Sequence, residues 1–228
     1  SYYRSENSNF DINYASQEEA DAAIEEYKAE IMNEGDTVVE GSETIVYTVQ
    51  PQAALTVIDQ TTGEVKAIVG GRGDKTGNKT LNRATDTTRQ PGSTFKIIAA
   101  YAPALDAGGL TLATVEDDAP YNYTTGEGKA VTNYDKRYRG FTTLREAITD
   151  SINIVTVKAL AEIGPSLGYD YIRNFGITTV GIEESGNETL ALGGLTNGVT
   201  NLELTAAYAA IANGGTYIEP KFYTRVLD

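Results

Sequence analysis

Ser93 and Lys96 lie three positions apart in the run Gln90-Pro91-Gly92-Ser93-Thr94-Phe95-Lys96. Residues at this spacing share one helix face, so a hydroxyl and an ammonium can meet there without help from distant chain. Pro91 presets φ and Gly92 lets the backbone approach a neighbour closely, which suits a sharp entry into a helix. The apolar run Ile97-Ile98-Ala99-Ala100-Tyr101-Ala102 follows. It predicts a central, buried helix with a lysine in its first turn. Burial lowers a lysine pKa, and a neutral Lys96 can accept the proton of a Ser93 nucleophile. A Ser-x-x-Lys pattern arises about once by chance in a chain this long, so the four residues alone describe an ordinary helix start.

Composition restricts the chemistry further. The 228 residues include no His and no Cys. This removes Ser-His-Asp triads, His general bases, His metal sites, thiol nucleophiles and disulfides together. A serine nucleophile here must take Lys, Tyr or a carboxylate as its base. No cofactor and no metal is expected. The net charge of −14 argues against nucleic acid and anionic membrane surfaces as partners. No run of about 18 apolar residues is present, and no signal peptide opens the chain.

The elements that must position Ser93 and Lys96 can be read in order. Residues 1–15 are polar and rich in Tyr and Asn, as in a linker. Ser16-Gln17-Glu18-Glu19 is a capping box, and Ala20, Ile24, Tyr27 and Ile31 continue at helical spacing, which predicts a helix over 17–32. A polar connection spans 33–50. Residues 53–59 and 64–70 read as two strands joined by Gln60-Thr61-Thr62-Gly63, an antiparallel hairpin. Residues 70–77 are Gly-rich but lack phosphate-loop spacing, and they read as a loop. The helix from Ser93 ends near Gly108-Gly109. Residues 110–141 show no period and read as a long irregular segment, with Tyr121, Tyr123, Tyr134, Tyr138 and Phe141 expected to pack over the core or to line a cleft.

Thr143-Leu144-Arg145-Glu146 is a second capping box, opening a short helix that Asp150-Ser151-Ile152-Asn153 interrupts. An apolar helix over 154–163 stops at Gly164-Pro165, another covers 166–174, and residues 192–198 form a tight loop. A third capping box, Thr200-Asn201-Leu202-Glu203, opens an Ala-rich helix over 202–213. The last residues turn extended. The class is α+β, an antiparallel sheet packed with helices. Two strands and the start of a third leave that sheet incomplete.

Several runs now converge on one family. Arg83-Ala84-Thr85 with Arg89 to Lys96 resembles the nucleophile segment of penicillin-binding proteins. So do Asp117-Asp118-Ala119-Pro120, Asn133-Tyr134-Asp135, Thr143 to Ala147, Ser151-Ile152-Asn153, Ala191-Leu192-Gly193-Gly194 and Ala212-Asn213-Gly214-Gly215. The chain is most similar to the transpeptidase domain of the bifunctional, class A type, over about 53–226. The resemblance implies a β-lactamase/transpeptidase-like fold. Residues 1–50 would lead into it, and 51–228 would be its N-terminal part.

The family's three site motifs are Ser-x-x-Lys, Ser-x-Asn and Lys-Thr-Gly. The first two fall on Ser93/Lys96 and Ser151/Asn153. Ser5-Glu6-Asn7 and Ser185-Gly186-Asn187 also spell Ser-x-Asn but read as surface loops. Lys75-Thr76-Gly77 spells the third motif before Ser93, whereas the family carries it after Ser-x-Asn on the strand bordering the cleft. It reads as a decoy, with the true motif expected beyond Asp228.

The roles implied are these. Ser93 attacks the bond between the last two D-alanines of a peptidoglycan stem peptide, and Lys96 takes its proton. Ser151 relays a proton to the leaving D-alanine, and Asn153 hydrogen-bonds Lys96 or substrate. β-Lactam antibiotics would acylate Ser93. The Ser93 N–H would be one oxyanion donor and the missing strand would supply the other, so residues 1–228 alone are expected to acylate poorly. The partners implied are stem peptides ending in D-Ala-D-Ala, β-lactams and the C-terminal remainder of the domain. The location implied is extracytoplasmic, on a parent protein anchored in the cytoplasmic membrane. The alternatives are a serine β-lactamase, for which Glu183 and Glu184 in an expected surface turn are candidate water activators, a D,D-carboxypeptidase, and a non-enzymatic β-lactam sensor or scaffold.

Overall fold

The computed structural model describes residues 14, 16–39, 41, 45, 47, 51–73 and 77–226. The chain divides into two compact units, 1–51 and 52–228. The described part of the first holds α1 (Gln17–Ile31), which Ser16 caps by accepting the Glu19 N–H at 3.2 Å. No residue of α1 is buried.

In the second unit, β1 (Leu55–Ile58) and β2 (Val65–Val69) pair antiparallel from Leu55↔Val69, with a bulge at Val57/Ile58. The connecting turn is tied by Asp59, whose carboxylate accepts the Thr61 N–H and hydroxyl. Thr56 bonds Asn201 of α6 (Asn201–Ala212) at 2.7 Å. On the opposite face Leu55, Val57 and Val69 stay 55%, 44% and 48% exposed, so one side of this two-stranded sheet is uncovered. The expected third strand is a single parallel bridge, Glu64↔Lys221.

The central helix runs from 92 to 106 and is buried as expected, but it is not regular. It opens as a 3₁₀ turn (Gly92–Thr94), widens to π geometry over Ile97–Tyr101, and closes as α2 (Ala102–Asp106). Pro103 accounts for the wide turn, since it has no N–H to donate and its ring crowds the carbonyl four residues back. That carbonyl belongs to Ala99. It sits under Gly168 of α5 (Pro165–Asn174), where any Cβ would collide with it. Phe95, Ile98, Ala99 and Ala100 pack with Ile154, Val157 and Leu160 of α4 (Asn153–Ile163) in the main core. Tyr101 belongs to a second cluster with Leu144, Ala147 and Ile152.

The segment 110–141 departs from expectation. It contains β4 (Val115–Asp118) paired with β7 (Gly140–Thr143), and between them β5 (Tyr121–Asn122) paired with β6 (Ala130–Val131). These strands are too short and too polar to show a period of two. The aromatic residues divide: Tyr121 and Tyr123 pack against the core, whereas Tyr134 and Phe141 are 99% and 85% exposed. β7 feeds α3 (Leu144–Thr149) through the expected capping box of Thr143 and Glu146. The second such box, Thr200 and Glu203, opens α6. The α+β class with small antiparallel sheets is as the sequence indicates, and the sheets are incomplete.

Candidate active site

The structure brings Lys96, Ser151 and Asn153 together. Lys96 is 3% exposed, and its Nζ donates to Ser151 O at 2.6 Å, Ser151 Oγ at 3.0 Å and Asn153 Oδ1 at 2.6 Å. All three ammonium protons are thus committed. No carboxylate pairs with Lys96 among the described residues. Burial pushes its pKa down to about 8. Ser93 sits one turn earlier, exposed on the 3₁₀ turn, and among the described residues its hydroxyl makes no hydrogen bond. Ser93 and Lys96, which their spacing allows to meet on one helix face, are not hydrogen-bonded to each other here, because Lys96 is turned to Ser151 and Asn153.

Ser151 owes its position to the end of α3. The Ile152 N–H returns to Ala147 O at 2.9 Å and the Ser151 N–H to Ile148 O at 3.3 Å. This is a Schellman stop, which places its next residue in the left-handed region and usually puts glycine there. Here a serine takes it, with φ +54°. That conformation costs an L-residue about 1–2 kcal/mol. It turns both the Ser151 carbonyl and hydroxyl onto Lys96.

Asn153 begins α4. Its Nδ2 donates to Thr132 O at 2.8 Å, which leaves Oδ1 for Lys96. Its backbone N–H and that of Ile154 donate to Asn133 Oδ1 at 3.0 and 3.2 Å. Asn133 is buried, and its amide is held by both oxygens of Asp118, at 2.8 and 3.0 Å. Arg139 adds a guanidinium nitrogen 3.8 Å from Asp118. The sequence placed Asp118 and Asn133 in recognisable runs but gave them no role, because a buried amide contact between distant segments leaves no periodic trace.

Gln90 was likewise unassigned. Its side chain donates to Leu195 O and accepts the Leu195 N–H at 2.8 Å, clamping the loop 192–198 to the Ser93 turn. Just before it, β3 (Thr88–Arg89) pairs with β8 (Val199–Thr200). Gly193 is left-handed, and a Cβ there would come within 2.7 Å of Gly92 N. Tyr208 of α6 donates to Thr94 O at 2.6 Å.

The remaining candidates are not part of this cluster. Asn187 caps the 3₁₀ turn Glu188–Leu192 by accepting the Thr189 N–H at 3.0 Å. Ser5-Glu6-Asn7 and the Lys75-Thr76 of the early Lys-Thr-Gly lie outside the described residues. Glu183 is exposed as expected. Glu184 is not: it is 4% exposed and accepts the Thr196 N–H at 3.0 Å, so the turn buries one of its two acids.

A buried lysine held by the second motif's serine and asparagine, one turn after an exposed serine, is chemically able to act as a base toward that serine. The family described as penicillin binding protein transpeptidase domain matches residues 53–228, and the chain belongs to it. Penicillin-binding protein 1A of Clostridium botulinum is 37% identical over 195 residues, covering 82% of this chain and 23% of that protein. The chain therefore spans about a quarter of the length of such relatives. The crystal structure of penicillin-binding protein 1A from Haemophilus influenzae superposes with a TM-score of 0.64 at 32% identity, over 75% of this chain and 24% of that one. The PonA1 protein of Mycobacterium tuberculosis in complex with penicillin V shares the fold, with a TM-score of 0.61 at 24% identity over 74% of this chain and 46% of that one.

Proposed function

We propose that this chain supplies the nucleophile-bearing part of a D,D-transpeptidase, which cross-links peptidoglycan stem peptides through an acyl-enzyme on Ser93. The observation that carries the reading is the placement of Lys96: buried, bonded to Ser151 and Asn153, without a carboxylate ion pair among the described residues, and one turn from a hydroxyl that has no partner among them.

Neutral Lys96 has two protons and a lone pair. It gives up one of its three donor contacts and accepts the Ser93 proton as Oγ attacks the carbonyl of the penultimate D-alanine. The contact most easily released is that with Ser151 Oγ, because a hydroxyl can turn its proton elsewhere, which leaves the Lys96 lone pair to the Ser93 proton. Ser151 then gives its hydroxyl proton to the leaving D-alanine nitrogen and recovers one from the Lys96 ammonium, which returns Lys96 to its neutral form. An amine of a second stem peptide attacks the ester and gives a proton to Lys96, which passes it to the departing Ser93 Oγ. β-Lactams enter by the same first step and leave a stable ester. Stem peptides lie outside the cytoplasmic membrane, so the domain works on that side, on a membrane-anchored parent.

Residues 51–228 act in this reading as the front part of the domain, with 1–50 leading into it. Among the described residues β1 and β2 form a sheet of two strands, which supports the addition at its edge of a further strand that carries Lys-Thr-Gly and the second oxyanion donor. Removing one such donor lowers acyl-transfer rates on the order of a hundred- to a thousandfold. The test is intact-mass spectrometry after incubation with penicillin, on the full-length protein, on residues 1–228 and on Ser93→Ala. One penicillin-sized increment on the full-length protein, lost in the variant and weak on 1–228, is expected. No adduct on the full-length protein would overturn the acyl-enzyme reading in favour of a scaffold.

A further inference from the structure

The helix that carries Asn153 has no cap of its own. Ile152 precedes it and contributes no side-chain hydrogen bond, so the first N–H groups of α4 need an acceptor from elsewhere. Asn133 provides it from twenty positions upstream, with one oxygen shared by Asn153 N and Ile154 N. An amide can be turned either way, and the wrong way would aim an NH₂ group at two N–H donors. Asp118 settles the choice. Its carboxylate is 0% exposed and can only accept, so the Asn133 NH₂ must face it. Arg137 O takes the same NH₂ group at 2.8 Å, and the Arg139 N–H binds Asp118 at 2.9 Å. The adjacent Thr132 O fixes the Asn153 side-chain amide in the same manner.

We propose that Asp118 and Asn133 are positioning residues for the acyl-transfer site: they set the place of Asn153 at the start of α4, and through it the seat of Lys96. The order is Asp118 to Asn133 to Asn153 to Lys96, each link a direct hydrogen bond whose donor and acceptor ends cannot be exchanged. The buried carboxylate acts here as an orienting group and takes no part in proton transfer. This inference rests on the serine acyl-enzyme reading.

The test separates the acylation step from drug binding in the full-length protein, by following the acylation rate constant and the penicillin dissociation constant independently. Asn133→Ala is expected to lower the acylation constant tenfold or more while the dissociation constant stays within threefold. Asp118→Asn keeps size and polarity but no longer dictates which way Asn133 faces, and a three- to tenfold loss is expected even if Asn133→Ala does not fold. A folded Asn133→Ala or Asp118→Asn that acylates at the parent rate would overturn the proposal. So would a loss confined to the dissociation constant. These results differ from a failure of the reading itself, in which the parent protein forms no Ser93 adduct at all.

Discussion

Gln90 holds Leu195 by both of its backbone polar groups, donating to the carbonyl and accepting the N–H at 2.8 Å. The two residues lie 105 positions apart. This clamp ties the loop 192–198 to the turn that presents Ser93. Gln90→Ala leaves two backbone groups with no side-chain partner, and is expected to cost about 1–3 kcal/mol. Urea unfolding measures this. Gln90→Glu keeps the acceptor but sets a carboxylate against Leu195 O, and should be no more stable than the alanine variant.

Lys96 makes stability depend on pH with a defined sign. Its folded pKa of about 8 lies below the usual 10.5. Between these values the unfolded chain binds the extra proton, so stability rises with pH across that window, and the full penalty is present below pH 8. The gap corresponds to roughly 3 kcal/mol. Lys96→Met should flatten the pH dependence between 8 and 10.5 relative to the parent protein, as followed by thermal unfolding at fixed ionic strength. Acylation by penicillin should rise with an inflection near pH 8, as the neutral amine forms. An acylation profile flat from pH 6 to 10 would rule out Lys96 as the base.

Ser151 occupies a glycine position with φ +54°. Ser151→Gly and Ser151→Ala both remove the hydroxyl, but only glycine removes the strain. The glycine variant should be more stable than the alanine variant by about 1 kcal/mol, while both acylate slowly. Calorimetry on the two proteins compares them directly. Equal stability would mean that the left-handed conformation is not strained here.

Gly168→Ala introduces a methyl group against Ala99 O, a carbonyl that Pro103 leaves without its usual helical donor. The central helix must shift or α5 must lift, and a loss of about 1–3 kcal/mol is expected from this overpacking. The melting temperature reports the loss, and the penicillin acylation rate reports whether Ser93 and Lys96 move with the helix.

Much of the scaffold was legible because local signals announced it. Ser16, Thr143 and Thr200 each start a helix where the sequence places one, since a cap followed by a carboxylate three residues later is a local device. The hairpin of β1 and β2 followed from β-rich runs around a glycine turn. The first two site motifs were legible as spacing. What joins them was not. The π turn before Pro103 depends on how a missing donor is absorbed. The buried Asp118–Asn133 pair depends on two segments meeting, and the serine at a Schellman stop contradicts residue preference. The burial of Glu184 depends on the Thr196 N–H, twelve positions away, and its charged type pointed the other way.

Lys96 reaches its partners across 55 and 57 positions of chain, and Gln90 reaches Leu195 across 105. Neither closure stabilises a part of the molecule that folds early from local contacts, since each brings its loop entropy with it. The site therefore exists only after the central helix, α4 and the 192–198 loop have all docked, and any partial opening of one of them disconnects it. On the proposed acyl-enzyme reading, penicillin labelling of Ser93 would serve as a folding probe: the rate at which the adduct becomes possible after dilution from denaturant would time the last step of assembly, while far-ultraviolet signals from the locally capped helices report an earlier one.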